Sequence, residues 1–393
     1  MMPHDLIIVG GGPVGSRAAE ITAPHMKVAI LEEHQGAGNP VQCTGLVSPR
    51  VVERVGAGRA VLNRLKGAVI HFPGGEELEI LSNQVKAVVI DRETFDLVCH
   101  RRALEKGAEF LPGHKFRSIS IGEEGTRLMV GADGERIMRS KMVIAADGYK
   151  SRVARSAGLE GARELVRGAQ VDLDSPMEEG DKVHVFLGSE VAPGFFAWQI
   201  PCGDFTRMGL CVSESNGPPS RFLDRLRERL GKDGKVLRRF GGAIPIGVMP
   251  RTYGERLMVV GDAAAQTKPI SGGGLFTGMR AAECAGLTAL EAMEKEDFSI
   301  QSLSRYEERW RAIMGKEIER GYLLRKVFVR LSDRKLDQLA AALRKREMID
   351  LLATGDIDSP SDLVPAALRL TPSLIRFSPQ ILGSLLSRQP RKA

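Results

Sequence analysis

Short unbroken apolar runs punctuate the chain. Leu6-Ile7-Ile8-Val9, Val28-Ala29-Ile30-Leu31, Met142-Val143-Ile144-Ala145-Ala146 and Leu257-Met258-Val259-Val260 are each bounded by glycine, aspartate or glutamate. Runs of this length with such ends predict buried strands. The first is followed by Ser16-Arg17-Ala18-Ala19-Glu20 and the last by residues 275–293, both with helical composition. A second group of segments is strand-like: Val69-Ile70-His71-Phe72 with a hairpin partner Leu78-Glu79-Ile80, then Val183–Leu187 and Arg207–Val212. One helix is expected within that group, because Phe222, Leu223, Leu226 and Leu230 share a face. From about Ile300 the pattern is helical to the end, with Pro365, Pro372 and Pro379 cutting the last part into short amphipathic pieces.

The strongest chemical signal lies in the first 32 residues. Gly10-Gly11-Gly12-Pro13-Val14-Gly15 joins a strand to a helix in the G-x-G-x-x-G spacing of a dinucleotide site. Gly10 permits the tight turn, Gly12 admits a pyrophosphate to the backbone, and Gly15 lets helix and strand pack closely. The helix start then offers free N–H groups to phosphates. Glu32 ends the second strand 22 positions after Gly10, close to the ~20 expected for a ribose-binding acid. This pattern alone does not separate NAD from FAD. Two later segments do: Ala146-Asp147-Gly148 leading to Ser151, and Gly261-Asp262-Ala263-Ala264 leading through Pro269 to Gly272-Gly273-Gly274-Leu275. An aspartate just after a strand suits a ribitol hydroxyl, and a glycine run opening a helix puts N–H donors under a flavin pyrimidine ring.

Together these motifs resemble the flavoprotein superfamily of aromatic hydroxylases and geranylgeranyl reductases. Pro40-Val41-Gln42-Cys43-Thr44-Gly45 looks like the cysteine-bearing segment of the reductases, and Val89-Ile90-Asp91-Arg92-x-x-Phe95-Asp96 like the start of one of their helices, with Asp91 as N-cap. Pro193-Gly194-Phe195-Phe196-Ala197-Trp198-x-x-Pro201 resembles their P-x-x-Y-x-W-x-F-P signature, with Phe196 in place of tyrosine and Ile200 in place of phenylalanine.

The resemblance implies an α/β fold, α+β overall. Its parts are a Rossmann-like FAD-binding domain of the aromatic-hydroxylase type, an antiparallel-sheet substrate domain and a helical C-terminal region. The first takes residues 1–70, 91–160 and 245–300, the second 71–90 and 161–244, the third 301–393. It further implies FAD as cofactor and saturation of the isoprenoid double bonds of geranylgeranyl chains, in archaea those of ether phospholipids. Gly10, Gly12, Pro13, Val14, Gly15, Glu32, Gln42, Cys43, Arg92, Asp147, Gly148, Gly261, Asp262, Pro269, Gly272, Gly273, Gly274 and Leu275 would surround FAD. Phe195, Phe196 and Trp198 would line the substrate channel, or else pack a core. Cys43 is the candidate for proton or electron relay, with a small buried group beside the flavin as the alternative. Arg92 would meet a flavin phosphate or a loop carbonyl. His71 and His184 would face the substrate or be structural.

Composition and charge narrow the partners. The 393 residues are 43% hydrophobic and 27% charged, as in an ordinary globular chain. Aromatics at 5% do not interleave with basic residues, which argues against a base-stacking nucleic-acid surface. Five cysteines without a C-x-x-C pair point to a reducing cytoplasm, and Cys99, Cys202, Cys211 and Cys284 read as core filler. Seven histidines without ligand spacing predict no metal site. No apolar run is long enough to span a bilayer.

The net charge of +7 resides in residues 301–393, with 18 basic and 11 acidic side chains, and no acid follows Asp362. That tail, with Arg325, Arg369 and Arg376 among its cations, suits either a peripheral contact on an anionic membrane's inner face or a helical cap with solvated charges. No second glycine fingerprint appears, so a ferredoxin, a reduced deazaflavin or NAD(P)H remains open as electron donor. An aromatic or polyketide monooxygenase and an electron-transfer flavoprotein are the competing functional readings.

Overall fold

The computed structural model describes residues 4–38, 40–41, 43–131, 136–232 and 234–379. Its first sheet runs in the order Leu257–Val259, Arg136–Ala145, His4–Val9, Val28–Leu31, Glu109–Leu111, all parallel, with Tyr253–Gly254 antiparallel at one edge. Strand Arg136–Ala145 is longer than its apolar run implies. Its outer half pairs antiparallel with Gly125–Val130, which pairs with Phe116–Gly122.

Burial on both faces explains the unbroken apolar runs. Leu6 and Ile8 pack under helices Pro13–Thr22 and Leu275–Lys295, whereas Ile7 and Val9 join Phe116, Leu128 and Val153 on the other side. A small sheet of Leu46–Val47, Ala87–Ile90 and Val61–Leu65 lies nearby, and helix Arg92–Glu105 follows it. Asp91 caps that helix by accepting from Thr94 N at 2.8 Å.

The second sheet has seven strands in the order Val236–Ile246, Glu164–Leu173, Thr206–Ser213, Ala197–Pro201, Lys182–Phe186, Gly67–His71, Glu77–Leu81. It is antiparallel except where Lys182–Phe186 meets Gly67–His71, a parallel pair. That departure follows from the chain order: the hairpin of residues 67–81 comes from an earlier excursion and docks onto an edge built later. Alternation sorts the two faces. Leu210, Val212 and Phe186 pack under helix Pro219–Arg229 through Leu223 and Leu226, while Cys211, Trp198 and Ile200 face the small sheet.

The C-terminal region is helical, as its pattern predicts. Helix Ile300–Trp310 drives Tyr306 and Trp310 into the first core, and after a wide turn at Arg311–Gly315 helix Lys316–Phe328 continues. Helices Asp333–Leu343 and Arg346–Thr354 then cover Phe72 and Leu78 of the second sheet with Leu336 and Ala340. Two tail cations, Arg320 and Arg325, are buried and depart from the solvated-tail picture. Arg325 is only 2% exposed, donates to Glu164 Oε2 at 3.0 Å and to Gly194 O at 3.2 Å, and sits 5.4 Å over the Phe195 ring. Arg388, Arg391 and Lys392 lie outside the described residues. Among the described residues no helix is long and apolar enough to cross a membrane, and no group of three or more His, Cys, Asp or Glu could hold a metal ion.

Candidate active site

One cavity of about 1180 Å³ runs from the glycine turn to the second sheet and the C-terminal helices. At its nucleotide end the backbone does most of the shaping. Gly10 has φ +108°, and a Cβ there would lie 2.2 Å from Ala146 O. A Cβ on Gly15 would fall 2.0 Å from Gly10 O, so this glycine serves the helix–strand contact and does not line the cavity. Gly12 faces open space, and the helix it opens has no side-chain cap. Those orphan N–H groups suit phosphate oxygens. Glu32 accepts from Gly11 N at 2.8 Å through one oxygen, and from His34 N and Nδ1 at 3.0 and 2.6 Å through the other. The oxygen that meets Gly11 N keeps accepting capacity for a ribose hydroxyl.

The two aspartates after strands differ sharply. Asp147 is engaged locally: it accepts from Ser151 Oγ at 2.6 Å, Arg152 N at 2.7 Å and Val153 N at 3.1 Å, holding the turn that Gly148 makes with φ +73°. The Asp262 carboxylate has no hydrogen-bond partner among the described residues, lines the cavity, and is pushed up by burial, against the weaker pull of Arg92. A Cβ on Gly274 would lie 2.7 Å from Asp262 Oδ1, so only glycine leaves that carboxylate its place. Gly272, Gly273, Gly274 and Leu275 line the cavity at the uncapped start of helix Leu275–Lys295. An unpartnered, half-buried carboxylate and two uncapped helix starts in one cavity fit the hydroxyls, phosphates and ring edge of FAD.

Pro269 and Gly261 turn away. Pro269 is buried against Gly321, whose added Cβ would meet it at 3.0 Å, and Gly261 packs on Val14. Pro13 and Val14 line the cavity, as the motif predicts. Gln42 lies outside the described residues.

Cys43 is half-buried on the cavity wall, and its Sγ accepts from Gly45 N at 3.4 Å. Arg92 is beside it and is clamped by Asp96 through two bonds of 3.0 Å. Burial opposes the Arg92 charge, but Asp96 and Cys43 hold the guanidinium firmly protonated. The arginine thus meets a carboxylate one helical turn on, where the sequence suggested a phosphate or a carbonyl. The other cysteines are buried, with the Cys202 and Cys211 thiols pushed up to about 12 by loss of solvent. Phe195 and Trp198 line the cavity and are also core residues, 2% and 8% exposed. Phe196 stacks on Phe195 at 4.5 Å and meets Trp198 edge-on at 6.0 Å. His71 and His184 bond each other at 2.9 Å, in register with Phe186 and Val69 on the sheet face opposite Val183 and Val185 of the cavity wall.

Several supporting residues escaped sequence reasoning. Gln266 accepts from Gly261 N at 2.8 Å and donates to Tyr306 Oη, which donates to Val259 O at 2.7 Å, so the C-terminal region braces the Gly261–Asp262 turn. Arg207, paired with buried Asp172, donates to Thr44 O at 2.7 Å and fixes the loop after Cys43. Lys268 Nζ donates to Ile357 O at 2.6 Å and Asp358 Oδ1 at 3.1 Å, and Arg50 donates to Asp358 Oδ2 at 2.9 Å. A basic or acidic residue 35 to 308 positions from its partner leaves no periodic signal in the chain.

Residues 4–236 match the family model described as FAD binding domain. The chain is 32% identical over 403 aligned positions to digeranylgeranylglycerophospholipid reductase 2 of Methanopyrus kandleri, covering 97% of this chain and 100% of that one. It is 31% identical to digeranylgeranylglycerophospholipid reductase of Methanocaldococcus jannaschii, covering 86% and 90%. The chain belongs to the digeranylgeranylglycerophospholipid reductase family. It is a flavin oxidoreductase and its cofactor is FAD. A geranylgeranyl bacteriochlorophyll reductase-like protein of Thermoplasma acidophilum superimposes with TM-score 0.85 at 25% identity, over 96% of this chain and 99% of that one. A p-nitrophenol 4-monooxygenase of Pseudomonas putida shares the fold, with TM-score 0.71 at 16% identity over 91% of this chain and 98% of that one.

Proposed function

We propose that this chain saturates the isoprenoid double bonds of geranylgeranyl chains on archaeal ether glycerophospholipids. The observation that carries this reading is the continuity of one cavity from the flavin cradle to a wall of Phe195, Phe196, Trp198, Val185, Leu363 and Ala367. An apolar passage of that length accommodates a prenyl chain and keeps water from the reacting carbons. Bound and reduced, FAD supplies the hydride for each double bond. Glu32 and the N–H groups after Gly12 hold the nucleotide, and Asp262 holds a hydroxyl of the chain that links it to the flavin. An isolated alkene is a poor hydride acceptor, so a proton must reach the second carbon. Cys43 Sγ–H is assigned that proton, with Arg92 and the Gly45 N–H positioning the sulfur.

Electrons come from a transient donor, a ferredoxin, reduced deazaflavin or NAD(P)H. The acid-free tail after Asp362 rests on the anionic inner face of the membrane, where the substrate resides; loss of vesicle binding on truncation at Asp362 is the expected mark. The decisive experiment mixes dithionite-reduced holoenzyme anaerobically with geranylgeranyl ether lipids. Flavin reoxidation with a gain of two hydrogens per saturated bond by mass spectrometry is expected. No mass gain across a range of prenyl lipids would rule the reading out.

A further inference from the structure

The cations lining the cavity fall into three groups. At the nucleotide end lie Lys150 and, near Glu33, Lys115 and Arg152. In the middle, Arg92 is matched by Asp96 and Lys268 by Asp358. Lys66 and Lys86 remain, on the substrate side, and neither has a carboxylate partner among the described residues.

The backbone brings these two lysines to one corner. Ser82 N donates to Lys66 O at 3.0 Å, and Lys86 N donates to Leu65 O at 2.9 Å, so the start of strand Gly67–His71 and the entry to strand Ala87–Ile90 converge. Lys66 is exposed and Lys86 half-buried, with Lys86 Nζ donating to Gly355 O at 3.2 Å and two further N–H bonds to give. Ser82 Oγ lines the same corner; it accepts from Gln84 N at 3.1 Å, which leaves its own hydrogen free to donate. Next to them the wall turns apolar at once, with Ala68, Ile80, Val183, Leu352 and Ala353. Two uncompensated ammonium groups and a hydroxyl beside an apolar passage are complementary to an amphiphile whose polar end carries a phosphate.

We propose that Lys66, Lys86 and Ser82 form a subsite for the phosphate of a prenyl glycerophospholipid, selecting phosphorylated lipids over neutral ones. This rests on the prenyl-lipid reading of the cavity and adds which end of the lipid this corner takes. The subsite acts on binding, away from the flavin, so it sets KM and leaves kcat alone.

The test compares digeranylgeranylglyceryl phosphate with the same diether lacking phosphate, on FAD-loaded wild type, Lys66→Met, Lys86→Met and the double variant. Turnover and calorimetric binding are both measured. Wild type is expected to bind the phosphorylated lipid at least about tenfold more tightly, and the double variant to lose that preference. The neutral lipid should bind all four proteins alike, and Lys66→Arg with Lys86→Arg should restore the preference. Equal wild-type affinity for the two lipids, or an equal loss for both lipids in the double variant, overturns the subsite. So does inorganic phosphate binding as tightly as the lipid, which would mark a free-anion site. A loss confined to vesicles of anionic phospholipid would mark a surface patch instead and equally overturn it. Binding that shows the phosphate preference without any turnover would retain the subsite and remove the reductase reading, so the two fail separately.

Discussion

The two ends of the cavity are built by different means. The nucleotide end is made from main chain: glycines at 10, 12 and 274, two uncapped helix starts, and side chains within a few residues of the turns they serve. The substrate end is made from side chains contributed by the small sheet, the second sheet and the C-terminal region, and its wall is held by ion pairs reaching from Arg50 and Lys268 to Asp358. A main-chain cradle tolerates almost no change at Gly10 and Gly15, and it draws on the C-terminal region through the Tyr306–Gln266 brace. A side-chain wall tolerates changes of shape yet depends on every segment being docked. Flavin binding and substrate closure should therefore fail separately.

The sharpest way to break the first end is Gly15→Ala. Its Cβ would fall 2.0 Å from Gly10 O, which no rotamer relieves because the backbone fixes the Cβ and Gly10 O is main chain. The helix must move off the strand, at a cost on the order of 3 kcal/mol, and the protein should purify without flavin absorbance. Retention of FAD at wild-type stoichiometry would show that the cradle is more elastic than the packing implies.

Asp358→Ala attacks the other end. Asp358 is 3% exposed and compensates Lys268 and, in part, Arg50, so its removal leaves the Lys268 ammonium, itself 7% exposed, without its carboxylate. A loss of about 3 kcal/mol is expected in denaturant unfolding, with early proteolysis in the region of residues 333–379. FAD should stay bound, because Lys268 meets Gly272 and Gly273 of the cradle through its main chain, which the substitution leaves in place. Simultaneous loss of flavin would mean that the two ends are one cooperative unit.

A smaller and pH-dependent effect comes from Glu317, buried behind the cavity with Oε2 accepting from Ser361 N at 3.1 Å and Ser361 Oγ at 2.5 Å. Burial lifts this carboxyl from 4.5 to about 7, more than the Ser361 bonds and Lys268 lower it. Between those values the folded state holds a proton that the unfolded chain has released, so stability falls as pH rises from about 4.5 to about 7. Its full extent is at most about 3 kcal/mol, and Glu317→Gln should flatten that part of a melting-temperature profile. An unchanged slope in the variant would assign the pH dependence elsewhere.

The cradle was legible because its chemistry is local. Gly10, Gly12, Gly15 and Glu32 act within one strand–helix–strand unit, and Asp91 caps the helix that starts beside it. Legibility faded where a residue's partner lies far along the chain. Arg325 reads as one more tail cation but is buried between Glu164 and Phe195. Arg92 reads as a partner for a flavin phosphate or a loop carbonyl, and the structure clamps it to a carboxylate four residues on. His71 and His184 sit in strands of the substrate sheet as expected, and only the register shows that they point to the face away from the cavity. Pro269 belongs to the flavin motif by spacing, yet it packs behind the loop on Gly321.

By itself the sequence determined the strand–glycine–helix turn with its carboxylate, the motifs that carry the resemblance to a flavoprotein family, and the position of the charge excess, since each is a matter of short-range pattern, turn chemistry and counting. Tertiary structure alone decided what the tail does with its charges. It folds Asp358 onto Lys268, Tyr306 onto the Gly261 turn and Leu363 onto the cavity, so part of the basic tail is a packed wall of the site. Ion pairing and burial depend on which distant groups meet, and that is settled by how the helices dock on the two sheets.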